Sequence, residues 1–209
     1  MSTSEFGYIT SQDQSFGNNK GIFSPTDIYD LTRADKYTNY GQLELIETQT
    51  VSSVSQVDFT NLSNYNVHFF TLNNFHCDDN KDLNVRTLVG GSVQSGGSDY
   101  GRAFQACAPS YYYEDRDASL DRLRIIPEVG NATGECLNGY IYMYHALDNT
   151  KFTFFTTQFS AVKYDGKTLN NFGTGSYQQS NSLSGIRFYM SSGNINEADI
   201  SIYGVKEYS

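Results

Sequence analysis

Gly185-Ile-Arg-Phe-Tyr-Met-Ser-Ser-Gly-Asn194 and its continuation Ile195-Asn-Glu-Ala-Asp-Ile-Ser-Ile-Tyr-Gly-Val-Lys-Glu-Tyr208 form the stretch that decides the fold. Ile186, Phe188 and Met190 alternate with Arg187 and Tyr189, the period of a half-buried β-strand. Ser191, Ser192, Gly193 and Asn194 supply turn chemistry, Gly and Asn being able to adopt positive φ. Ile200 and Ile202 then alternate with Asp199 and Ser201. The pattern predicts a β-hairpin whose apolar face needs a second sheet to cover it.

The preceding chain offers many candidates for that cover. Tyr65–Phe75 puts Tyr65, Val67 and Phe69 on one face and Asn66, His68 and Phe70 on the other. Leu83, Val85 and Thr87 alternate with Asn84 and Arg86. Tyr100–Ala108 and Leu123–Ile126 read as further strands, the latter stopped by Pro127. Gly139–Leu147 and Lys151–Tyr164 read as partners across an Asp148-Asn149-Thr150 turn. Tyr111–Asp121 reads as a charged loop and Gly173-Thr174-Gly175-Ser176 as a glycine loop. Eight to ten strands with turn signals between them, and no intervening helices, predict an all-β antiparallel β-sandwich, jelly-roll-like, over residues 41–209.

Residues 1–40 read differently, as an extended N-terminal arm. The first twenty are polar and rich in Gly, Asn and Gln, with Phe6, Tyr8, Ile9 and Phe16 scattered among them. Ser24-Pro25-Thr26-Asp27 then gives a helix start: Ser at the N-cap, Pro at the first helical position and an acid two residues on. Phe23 before the cap and Ile28 inside it have the spacing of a hydrophobic staple. Ile28, Leu31 and Tyr29 form the apolar face of one short helix ending near Arg33 or Lys36. Phe23, Ile28, Tyr29 and Leu31 are thus the residues by which the arm is expected to dock.

Composition narrows the function. A formal charge of −9 at pH 7 argues against nucleic acid, whose binding requires clustered Lys and Arg to replace counterions. No run approaches the ~20 apolar residues of a membrane-spanning helix, and the first residues lack the basic start and apolar run of a signal peptide. Cys77, Cys107 and Cys136 are too few and too scattered for a disulfide framework or a zinc ribbon, and read as small hydrophobes of a protein assembled in a reducing cytoplasm.

Sites of chemistry are scarce. His76-Cys77-Asp78-Asp79 and the acids through Asp82 read as a polar turn, because adjacent residues of an extended loop cannot all face one ion and the spacing is not that of a calcium loop. His68 and His145 fall within strands. No Gly-x-Ser-x-Gly occurs, and the glycine-rich loops lack the Lys and following helix of a phosphate cradle. The chain is expected to be no enzyme and to need no cofactor or metal. Tyr111, Tyr112 and Tyr113 are the one candidate ligand patch, since loop tyrosines offer flat apolar area and a hydroxyl at low entropy cost.

Two stretches carry a resemblance. Gly21-Ile-Phe-Ser-Pro-Thr-Asp-Ile-Tyr-Asp-Leu31 is similar to a segment that precedes many phage structural domains, and Phe188–Val205 is similar to the hairpin that closes such sandwiches. The chain resembles virion structural proteins of tailed bacteriophages, particularly marine ones. The resemblance implies a non-enzymatic component of the particle, decorating the capsid or forming part of a tail or fibre appendage and docked through its arm. It further implies self-association as a homotrimer, other virion proteins as partners, and assembly in the host cytoplasm. The alternative is a carbohydrate- or host-receptor-binding module using Tyr111–Tyr113 against a host-surface glycan.

Overall fold

The computed structural model of the protein describes residues 25–34 and 43–206. The chain divides into two units, Met1–Gln42 and Leu43–Ser209. In the first lies α1 (Pro25–Arg33), which begins at the proline whose fixed φ suits a first helical position and ends with Arg33 near the negative end of the helix dipole. The Thr32 hydroxyl donates to the Ile28 carbonyl at 2.7 Å. The Ser24 cap and the Phe23 staple fall outside the described residues.

The second unit is built from β1 (Leu43–Val54), β2 (Gln56–Phe59), β3 (Val67–Cys77), β4 (Leu83–Val89), β5 (Ser92–Val93), β6 (Tyr100–Ala108), β7 (Tyr111–Leu120), β8 (Leu123–Ile126), β9 (Leu137–Tyr144), β10 (Thr153–Val162), β11 (Thr168–Tyr177), β12 (Gly185–Met190) and β13 (Ile195–Val205). Eight of these form one antiparallel sheet in the order β1-β13-β3-β9-β10-β11-β6-β7. Four form a second in the order β2-β12-β4-β5, and β8 also pairs with β4. The architecture is the expected all-β antiparallel sandwich, with more strands among the described residues than the turn signals suggested.

The decisive stretch folds otherwise than as a hairpin. β12 pairs with β2 and β4 in the smaller sheet, whereas β13 lies between β1 and β3 in the larger. Residues 191–194 therefore arch from one sheet to the other. The β3–β4 connection crosses beside them, and β1 passes into β2 through the single residue Ser55, shortly after Ser53, whose φ is +54°. The two neighbouring arches are tied together. The Asp78 amide donates to the Asn194 carbonyl at 3.2 Å, the Ser191 amide to the Asp82 carbonyl at 2.9 Å, and the Asn194 amide to Asp78 Oδ1 at 2.6 Å. Gly193 has φ +76°, and a Cβ there would strike the Asp78 carboxylate, so this position requires glycine for both conformation and space. Turn residues between alternating strands mark a change of direction; the partner strands decide whether it is a hairpin or an arch.

Two expected loops are strands. Tyr111–Leu120 is β7, the edge of the larger sheet, its charges being those of a strand with one free side. Residues 173–176 lie within β11, where Gly173 packs on the backbone of Ala103 and Phe104, and Gly175 on Leu123. Their glycines serve close packing within the sheet.

The core lies between the sheets. Phe59, Phe70 and Phe188 meet edge-on, with centroids 5.7 to 6.2 Å apart, the favoured arrangement of aromatic quadrupoles. Leu72, Phe75, Ile141, Phe155, Phe159, Ile186, Ile200 and Ile202 extend it. Tyr100 and Tyr177 are fully buried with centroids 5.3 Å apart. The Tyr100 hydroxyl accepts from the Thr87 amide at 2.8 Å and donates to the Gln94 carbonyl at 3.1 Å, and burial pushes its pKa up to about 12.

Candidate functional site

Registered pairing lays side chains in rows across the outer face of the eight-stranded sheet. One row crosses every strand: Leu45, Tyr203, Phe69, Tyr142, Thr156, Thr174, Ala103 and Arg116. Its first half is aromatic. Phe69 lies 4.7 Å from Tyr142, 5.8 Å from Tyr140 and 6.2 Å from Tyr203 by ring centroids, and Tyr142 stacks on Tyr144 at 6.2 Å. These rings are half-buried by one another.

The second half is floored by small residues. Gly101, Ala103, Thr174 and Ser176 occupy outward positions of β6 and β11; one depression opens over all four and a second over Ala103 and the neighbouring Gly173. The first, about 270 Å³, is walled by Phe154 and lined by Asp117, Ala118, Thr174, Ser176 and Gln178. The second, about 350 Å³, is walled by Phe172 with Gln105, Glu114 and Arg116, and shares Ala103 with the first. Phe154 and Phe172 keep 45% and 37% of their surface exposed, unusual for phenylalanine on a solvated strand. Alternation in β10 set Phe154 outward, but the floor was invisible in the sequence, since Gly101, Ala103, Thr174 and Ser176 meet only through the β6–β11 register.

The opposite face of the sandwich is charged. Arg187 grips Asp58 with two bonds of 2.6 and 2.7 Å, and Arg86 pairs with Asp121 while lying 5.3 Å from the Tyr189 ring centre.

The tyrosine triplet is divided by its strand. Tyr112 points outward, 63% exposed, opposite Cys107. Tyr111 and Tyr113 turn to the other face, stacked on each other at 6.0 Å. Lys163 Nζ donates to the Tyr111 hydroxyl and pairs with Glu128, both at 2.6 Å. Burial pulls the Lys163 pKa down, but the bonds to Glu128 and Tyr111 outweigh it and hold the ammonium above its ordinary value. Burial likewise raises the Tyr113 phenol. The three rings thus form no common surface. In α1, Tyr29 is 64% exposed and Ile28 and Leu31 are half-buried; Phe23 lies outside the described residues.

The acidic turn serves the fold. Asp78 Oδ1 holds the Asn194 amide, Asn80 Oδ1 the Asn131 amide at 2.9 Å, and Asp82 Oδ1 the Glu128 amide at 3.0 Å. Asp82 also pairs with Arg124, which joins Asp115 and through it Arg102 where β7 meets β8. Cys77 is buried beneath the turn, its thiol pushed up to about 11 by burial and by Asp78. His68 is buried in β3 and its Nε2 bonds the Leu62 carbonyl. A carbonyl only accepts, so Nε2 carries the proton. Among the described residues no helix is long and apolar enough to cross a membrane.

No family model, curated protein or solved structure matches this chain.

Proposed function

We propose that this chain is a non-enzymatic structural component of a bacteriophage virion, a decoration or tail-appendage protein that docks through its N-terminal arm and presents the sandwich outward. The observation that carries the reading is the division at residue 42 into an arm-sized unit and a β body with its own core. This is the layout of a protein fixed to an assembly at one end. The polar groups of the body support it: the acids of residues 78–82 hold backbone amides, and Asp115, Asp58 and Asp121 neutralise arginines. They are spent on rigidity. In this reading the partners are copies of itself, as a trimer, and other virion proteins, with assembly in the host cytoplasm.

The direct test is mass spectrometry of density-purified phage particles from the source of this sequence. Peptides of this chain enriched in the particle fraction support the reading. Peptides abundant in the lysate but missing from particles overturn it.

A further inference from the structure

We infer that the paired depressions on the outer face of the eight-stranded sheet bind a neutral, linear hexose oligosaccharide. The lining chemistry selects this ligand. Sugar hydroxyls each donate and accept, and the groups of the first depression do both. The Thr174 hydroxyl donates to the Phe155 carbonyl at 2.9 Å and keeps its lone pairs. Ser176 Oγ accepts from Gln178 at 3.3 Å and keeps its proton to give. Asp117 uses Oδ1 on the Ser119 amide at 3.1 Å, leaving Oδ2 to accept. Phe154 adds an exposed ring onto which the C–H face of a pyranose lies flat.

The second depression repeats the arrangement with Phe172 as the ring and Gln105, Glu114 and Arg116 as polar groups. Phe154 stands opposite Ser176, four residues along β11 from Phe172, so the two rings are offset by about 13 Å along the strands. The small floor at Ala103 joins them into one track suited to a short chain of linked sugars. Each depression is at or near the lower bound of small-ligand pockets, about 300 Å³.

Other occupants fit less well. A peptide adding itself as a strand needs unpaired backbone; the floor strands β6 and β11 have neighbours on both sides, and the free backbone of β7 lies along the sheet edge rather than over the floor of the depressions. An acidic polymer would meet Glu114 and Asp117, with Arg116 already beside Glu114 at 3.6 Å.

The test is isothermal titration of the full-length chain with cellohexaose, maltohexaose, β-1,4-mannohexaose and β-1,4-galactohexaose, and with dextran sulfate as the acidic competitor. At least one neutral hexasaccharide is expected to bind. Phe154→Ala should weaken it about tenfold or more, and Ala103→Tyr, which fills the exposed floor, should abolish it, with thermal unfolding of both variants unchanged. Tyr112→Ala, which lines neither depression, should leave the affinity unaltered. Failure of all four neutral sugars to bind overturns the inference. So does preference for dextran sulfate, or binding that survives both Phe154→Ala and Ala103→Tyr.

Discussion

Phe188 touches Phe59 and Phe70 at the centre of the core and is fully buried. Phe188→Ala removes the ring at which β12 meets β2 and β3 and leaves a cavity that rigid strands cannot close. It should cost about 3–5 kcal/mol, read as a lower denaturant midpoint at unchanged slope. His68 gives the molecule a pH dependence. Burial lowers its pKa below the ordinary histidine value of about 6.5, so the unfolded chain takes up a proton there before the folded one does. The stability it contributes is whole above about pH 6.5 and is lost as pH falls through the folded pKa. His68→Gln keeps a donor for the Leu62 carbonyl and removes the titration. Urea midpoints between about pH 8 and about pH 5 should fall less steeply in this variant than in the parent.

At the scale of elements, the arch at residues 191–194 is the sensitive joint. Gly193→Ala forces a Cβ against Asp78 and holds alanine at φ +76°. The expected loss is about 1–3 kcal/mol, measured by chemical denaturation, and a change below a few tenths would show that the arch relaxes freely. This joint also marks what the sequence could convey. Strands such as β9, β10 and β13 were legible because one face is buried and the other is wet, so their residues alternate. β7 was not, because an edge strand carries charge to deter further pairing, and its Glu114, Asp115, Arg116 and Asp117 mimic a loop. Gly173 and Gly175 misled for a related reason, since glycine marks a turn and a tight strand contact with the same letter. The depressions over Ala103 are not legible in the sequence because register, not sequence proximity, assembles them.

For the whole molecule, the core among the described residues is drawn from within 57–202, and the body is expected to fold without the arm. A chain beginning at Leu43 is expected to unfold at the same temperature as the full chain, to within about 2 °C. Light scattering on the same pair tests the proposed trimer: a trimeric full chain with a monomeric truncation makes the arm the assembly element. Monomers in both would remove self-association from the proposed function.

β13 sits between β1 and β3, although it is synthesised after every other strand it helps to enclose. On a nascent chain, β1 and the adjoining edge of β3 must wait with open hydrogen-bonding groups until Ile195–Val205 emerges. Such a gap invites capture by a foreign strand, so products ending near Met190 should aggregate. For the same reason, a separate peptide carrying residues 191–206 should slot into the vacancy and restore a soluble fold. Co-expression of the two pieces, scored by recovery of soluble complex, reads out whether the last strand is a keystone.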